Sequence, residues 1–467
     1  MRRDCKSVRR RAAETLGLLL TASILVPAQQ ATPSAGITIA QAVDDALRNY
    51  PSIRVTQEQM TAAAAGIRLA QTAYLPRVDG LFQLNRATRN TFYGMLLPQG
   101  VIPPVSGVPA NNFGSVWDSG AGILVAWQPF DFGLRRANVA AAAAARDQAQ
   151  ATLNRTRYDV SVATADAFLT VIAAQQTAEA ARAAVESWQV LLRSIHALVG
   201  AQLRPGADES RVAAELALAQ TQLAQAEQAI DVARVTLAQF VGLDSSKVNL
   251  NPGRLLESPP DHSEVPFNAA ANPLALEQNA AVAQQQSRLN TLERTYYPQF
   301  LAQGLAAARG TGFDTNGARL GGLNGVLPTV QNYAIGITVT FPSMDRFAIR
   351  EQEAIQSANI RAGEAQSQLI ATKLRAQFDA ALATLAGARR VAANTPVEVS
   401  AGRTAVQQAT ARYQSGLAPI DDVAQAQRLL VQAQIDDALA RLNVWRARLQ
   451  VETARGDIQP FLSEVTH

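Results

Sequence analysis

The sequence predicts a mainly α-helical chain of two tandem repeats. Its transmembrane β-strands would close a barrel only by association of copies, twelve strands from three or eight from two, and long helices would continue the tube as an α-helical barrel. Three observations carry that prediction. Long stretches of Ala, Gln, Arg, Glu and Leu run with few helix breakers. Two windows, 74–132 and 296–347, switch to a period of two; in 111 of 467 residues they hold 16 of the 26 aromatics, 15 of the 28 glycines and no lysine. The same order of landmarks also occurs twice at nearly constant spacing.

Residues 1–28 carry six Arg or Lys against two acidic residues, then an apolar run from Leu16 to Val26 and the small-residue end Val26-Pro27-Ala28. This is the pattern of a secretory signal peptide, with an apolar run shorter than the ~20 residues of a spanning helix. Without it the formal +4 becomes 36 positive against 36 negative charges, so no basic surface for nucleic acid remains. Cys5 leaves with the signal, and His196, His262 and His467 are far apart in sequence. Thiol chemistry and a His-based metal site are therefore not expected. The chain shows no phosphate-binding glycine loop, no Cys/His metal spacing and no nucleophile motif. It predicts neither an enzyme nor a cofactor.

Along the chain, repeat 1 spans 37–245. A helix led by Pro51 ends before Pro76, where the residue preceding proline is pushed out of helical geometry. Val78, Gly80, Phe82 and Leu84 then alternate with Asp79, Leu81, Gln83 and Asn85, and Ala121, Ile123, Val125 and Trp127 alternate on a second strand. This hairpin, about 77–130, brackets a Gly/Pro/Asn-rich loop at 91–116. From Arg135 to Leu203 there is no proline and only Gly200 as glycine, which predicts a rod on the order of 100 Å. Gly200 to Gly206, around Pro205, reads as a tight turn into another helix. A Pro-rich linker follows at 246–265. Repeat 2, 266–458, has a helix led by Pro273, a hairpin at about 299–342 around a loop at 311–330, and a second helical hairpin turning at Gly416-Leu417-Ala418-Pro419. Its clearest strand is Tyr333–Phe341, with Tyr, Ile, Ile, Val and Phe on one face; 299–308 is the weakest. Residues 459–467 read as a tail.

The repeat is arithmetical. Pro51/Pro273, Tyr74/Tyr296 and Pro76/Pro298 differ by 222, whereas Leu203/Leu417, Pro205/Pro419, Asp208/Asp422 and Gly242/Gly456 differ by 214. The offset falls because the second strand pair has the shorter loop. Four strands cannot close a barrel, and an open edge in lipid leaves backbone groups unpaired. Three copies give twelve strands and a lumen; two give eight and a filled interior.

Several motifs resemble the TolC family of outer-membrane efflux proteins across about 37–458. Asn49-Tyr50-Pro51 and Ala271-Asn272-Pro273-Leu274 open the repeats, and Tyr74-Leu75-Pro76 and Tyr296-Tyr297-Pro298 enter the strands. Pro129-Phe130-Asp131-Phe132-Gly133 leaves them, and Tyr413-Gln414-Ser415-Gly416-Leu417 precedes the last helix. The resemblance implies a homotrimeric channel-tunnel in the outer membrane that extends into the periplasm. It implies docking on a periplasmic adaptor (membrane fusion) protein and an inner-membrane RND or ABC transporter, with export of drugs, metals or polypeptides. The second exit, Pro342-Ser343-Met344-Asp345-Arg346, lacks the first exit's glycine. The first tip, Val199-Gly200-Ala201-Gln202-Leu203, reads longer than the compact Val-Gly-Leu form of some relatives.

By that resemblance Asp422 matches an acidic position at the periplasmic pore constriction, with Gln425 one turn on. Three copies of Asp422 would make a cation-attracting ring; the alternative is a carboxylate complementing a helix N-terminus. Gly200, Leu203, Pro205, Gly416, Leu417 and Pro419 form the tips expected to meet the adaptor. Trp117, Trp127, Phe130, Phe132 and Phe341 are candidate membrane-interface aromatics, against core packing. Trp188, Trp445 and Phe378 read as packing residues, and His196 as a surface histidine near the first tip. The competing reading is a soluble periplasmic helical scaffold or adaptor with inserted β-hairpins.

Overall fold

The computed structural model of the chain describes residues 36–88, 114–257, 259, 266–314, 318–342 and 344–466. The signal peptide 1–28, Cys5, His262, His467 and most of the 91–116 loop lie outside the described residues.

Repeat 1 runs α1 (Ile39–Asn49), α2 (Pro51–Thr72), β1 (Arg77–Thr88), β2 (Ser115–Trp127), α3 (Leu134–Gly200) and α4 (Gly206–Val241). Repeat 2 runs α5 (Pro273–Arg294), β3 (Gln299–Thr311), β4 (Val330–Thr340), α6 (Arg346–Gln414) and α7 (Ile420–Arg455), followed by α8 (Gln459–Thr466). At 67 and 69 residues, α3 and α6 are each about 100 Å long. Among the described residues no helix is long and apolar enough to cross a membrane.

Local chemistry sets the boundaries. Thr38 and Gln41 form a capping box at the start of α1. Pro51 and Pro273 sit at the first position of α2 and α5, where a missing N–H costs nothing, and the residues before them are extended. Asn272 also caps α5, its side chain accepting from Leu274 N–H at 3.0 Å. Gly242 and Gly456 end α4 and α7 in the left-handed conformation.

The strands form one antiparallel sheet in the order β1-β2-β3-β4. Beneath it the helices pack in the matching order α2, α3, α5, α6. Along the long arms α3 pairs with α4 and α6 with α7, and α3 also touches α7. The largest core joins α1, α3, α4, α7 and α8 around Phe168, Leu237, Trp445 and Phe461.

Two segments differ from the sequence reading. The tail at 459–467 is helical over Gln459–Thr466, and Phe461 and Leu462 are buried. Its apolar residues fall at helical spacing, Asp457 accepts from Gln459 N–H at 2.9 Å, and the Phe461 ring meets Trp445 edge-on. The linker is likewise packed where described, since two short 3₁₀ turns flank buried Val248 and Leu255 turns under in the second.

Candidate functional site: sheet face, strand exits and helical tips

The register gives the sheet two chemically distinct faces. Val78 pairs with Val125, Gly80 with Ile123 and Phe82 with Ala121. On the same face Ile123, Val125 and Trp127 lie opposite Ala306, Gly304 and Ala302, which in turn lie opposite Tyr333, Ile335 and Ile337. Because cross-strand partners share a face, this one is apolar over that stretch, with Ser119, Arg86 and Gln331 only towards its far end. Val78, Phe82, Leu84, Ile123, Val125, Trp127, Tyr333, Ile335, Ile337 and Val339 are 38–87% exposed, far more than a water-facing sheet of this size would leave open. The opposite face carries Asp79, Gln83, Asn85, Gln303, Asn332, Thr338 and Thr340. Apolar outside and polar inside is the alternation of a membrane barrel wall. β1 and β4 are the sheet's edges, each paired on one side only.

Trp117 and Trp127 occupy the same face at the two ends of β2. Ten residues apart along a tilted strand, they bracket an apolar band of about 25 Å, the height of a barrel's lipid belt. The Arg86 guanidinium lies over Trp117 at 5.4 Å. Phe341 continues the apolar face of β4 and is 67% exposed. Phe130 and Phe132 meet edge-on at 4.5 Å, and Phe132 stacks on Tyr297 beside Phe300. Trp188, Trp445 and Phe378 are buried among helices.

Sequence reasoning missed Arg135. Phe132 and Gly133 both take positive φ, swinging the chain from strand into helix. Asp131 then accepts from Arg135 N–H at 2.7 Å and from Arg135 Nε at 2.8 Å, with both side chains about nine-tenths buried. Arg135 also stacks on Tyr74 at 4.7 Å and donates to Ala73 O, while Trp127 Nε1 donates to Tyr74 O at 3.2 Å. Burial alone pushes the Asp131 carboxyl up, but hydrogen bonds from Arg135 and Gly133, aided by the guanidinium charge, outweigh it and hold it below its usual value. The signal was present as an Asp and an Arg four apart at a helix start.

At the other end the two hairpin turns prove equivalent. Leu203 N–H donates to Leu198 O at 2.9 Å and Leu417 N–H to Arg412 O at 2.8 Å. The left-handed position is Gly416 in the second tip and Gln202 in the first. The two tips thus share one turn geometry, and Gly200 is the last residue of α3. Leu203 and Leu417 are 69% and 73% exposed, and Pro205 and Pro419 precede α4 and α7 in extended conformation.

The two tips are clasped together. Tyr413 hydroxyl donates to Asp208 at 2.9 Å, Arg204 stacks on the Tyr413 ring at 4.4 Å and donates to its carbonyl, and Arg211 pairs with Asp421. Further along, Arg428 pairs with Glu215 at 3.0 Å and Gln427 with Ser187 at 2.8 Å. Burial, and then donation to Asp208, pushes the Tyr413 phenol up to about 12, so it stays a donor at any physiological pH. Asp422 and Gln425 share an exposed face of α7. His196 is exposed and 2.6 Å from Glu209.

A sheet with a lipid-type face, a polar face and two open edges, mounted on helices of about 100 Å, defines a subunit of a membrane channel that closes by association. Residues 42–243 match the family described as "Outer membrane efflux protein". The cobalt-zinc-cadmium resistance protein CzcC of Cupriavidus metallidurans is 27% identical over 308 residues, 65% of this chain and 69% of that protein. The Campylobacter jejuni CmeC outer membrane channel superposes with a TM-score of 0.72 at 16% identity, covering 92% of this chain and 89% of its own. The Neisseria gonorrhoeae MtrE channel, solved in its open state, gives 0.68 at 14% identity over 90% and 88%. In sequence over residues 42–243, and in fold over about nine-tenths of its length, the chain is similar to outer-membrane efflux channels.

Proposed function

We propose that three copies of this chain form a passive exit duct through the outer membrane, loaded by an inner-membrane RND or ABC transporter through a periplasmic adaptor. The observation that carries the reading is the apolar sheet face with unpaired edges on both sides. Alone in lipid, β1 and β4 would leave rows of backbone groups unsatisfied at several kcal/mol each, and pairing β4 of one copy with β1 of the next removes both edges. The periplasmic scaffold reading lacks a reason for ten large apolar side chains facing outward together. Trp117, Trp127, Phe130, Phe132 and Phe341 then act as interface anchors.

Gating follows from the clasp. Tip dilation requires the α3–α4 hairpin to move against α6–α7, which breaks the Tyr413–Asp208 and Arg211–Asp421 contacts. Exposed Leu203 and Leu417 offer the adaptor two equivalent apolar knobs. Asp422 faces the narrowed entrance, with Gln425 one turn above.

In planar bilayers the detergent-purified trimer should conduct weakly and be blocked by multivalent cations. Asp422→Ala should raise conductance and weaken that block; unchanged block removes the ring assignment. Recovery as a detergent-free soluble monomer would overturn the duct itself.

A further inference from the structure

We propose a binding site for the phosphate of an anionic phospholipid at the first barrel exit, in a cleft of about 480 Å³ between α3 and α5. Arg136 and Arg294 line it together with Ser287 and Asn290, and Phe132 forms its upper wall. No carboxylate lines the cleft. Both arginines are exposed, and among the described residues neither pairs with a carboxylate, Asp131 being committed to Arg135. Arg294 lies 6.0 Å from the Tyr297 ring, which stacks on Phe132.

The position selects the ligand. Phe132 and Phe130 cluster on Phe300, and Phe300 pairs with Val339 on the apolar face. The cleft thus follows directly below the lipid-facing band. Arg136 lies in the first turn of α3, just past Phe132 and Gly133, so its guanidinium falls beyond the aromatic layer, at headgroup depth. Acyl chains against the band would place a headgroup phosphate within reach of two guanidinium forks, with the Asn290 amide as a further donor. The cleft also escapes burial by a neighbouring copy. The order α2, α3, α5, α6 puts α3 and α5 in the middle of the protomer, whereas copies meet at β1 and β4. An arginine ending α5 also complements its helix dipole, but that leaves Arg136, at the start of α3, unexplained.

The inference rests on the outer-membrane reading, and the test separates the two. The full-length trimer is reconstituted in nanodiscs of phosphatidylcholine with increasing phosphatidylglycerol, and bound lipid is counted by native mass spectrometry, with inorganic phosphate in a parallel arm. Wild type should retain phosphatidylglycerol over phosphatidylcholine, and Arg136→Ala/Arg294→Ala should weaken that preference by about thirtyfold, at about 1 kcal/mol per arginine. Arg136→Lys/Arg294→Lys should keep most of it, and Arg288→Ala should leave it unchanged. Equal retention of both lipids by a well-formed wild-type trimer, or displacement of the lipid by millimolar phosphate, overturns the lipid site alone. Failure of wild type to enter nanodiscs overturns the membrane reading first.

Discussion

At the first barrel exit Asp131 and Arg135 form a buried ion pair beneath Tyr74; 214 residues on, Asp345 and Ile349 hold the corresponding places at the second. There Ile349 is buried, α6 begins at Arg346 without a side-chain cap, and Tyr296 donates instead to Glu353 at 2.9 Å. Both repeats keep a tyrosine at the helix–strand corner and tie it to the next long helix. One uses a charge pair that must be buried whole, the other an apolar contact and a single hydrogen bond. The geometry of the junction is what the duplication retained, and the chemistry was free to diverge.

The largest effect should come from making the first exit resemble the second halfway. Arg135→Ile leaves Asp131 buried without its guanidinium, a loss of about 3–5 kcal/mol. The double variant Asp131→Ala/Arg135→Ile should recover most of that loss, because an apolar replacement of both partners is often neutral. Denaturant melting of the trimer in detergent measures both, and a double variant as unstable as the single would refute the ion-pair account. The same pair sets an acid dependence. The Asp131 carboxyl is held below the ~3.9 of an unfolded aspartate, so its contribution is complete above that pH and lost as pH falls through the folded value. Wild type should therefore lose stability below pH ~4 more steeply than the double variant.

A second contrast lies where each last helix returns to the start of its repeat. Gly242 and Gly456 both take left-handed φ, at 76° and 92°. A Cβ on Gly456 would meet Asn272 Cα at 2.7 Å and Pro273 Cδ at 2.9 Å, so backbone must move. On Gly242 the nearest atom is Asn49 Cβ at 3.1 Å, a contact relieved by a shift of a few tenths of an ångström. Gly456→Ala should cost about 3 kcal/mol and Gly242→Ala about 1–2 kcal/mol, the second being mostly the left-handed strain. Equal thermal shifts would show that Asn272, which donates to Ala454 O, is less fixed than its contacts imply.

Most of the fold was legible because its signals are periodic. The alternation of Tyr333 to Phe341 and the proline-led helices are written locally, and even the weakest candidate, 299–308, lies within β3. What escaped depends on neighbours. The tail looked featureless because Phe461 and Leu462 acquire meaning only against Trp445. Arg135 was passed over because a charged residue at a helix start reads as solvated, and only the fold puts Tyr74 over it. Gln202 escaped too, because glycine is the usual left-handed residue. Yet subtracting the 214-residue offset from Gly416 points to Gln202.

That position yields the smallest and cleanest contrast. Gln202 holds φ of +59° where the second tip uses Gly416 at +76°. The hydrogen bonds around the two positions are the same, so the tips differ mainly in the strain of one side chain in a region glycine enters freely. Gln202→Gly should stabilise the first tip by about 1 kcal/mol, and Gly416→Gln should weaken the second by a similar amount. Amide hydrogen exchange at Leu203 and Leu417 isolates each tip from global unfolding: protection should rise at Leu203 in the first variant and fall at Leu417 in the second. If the tips open as proposed, Gln202 keeps the first hairpin the easier of the two to unlatch. Gln202→Gly should then also lower channel opening probability in bilayers, leaving single-channel conductance unchanged.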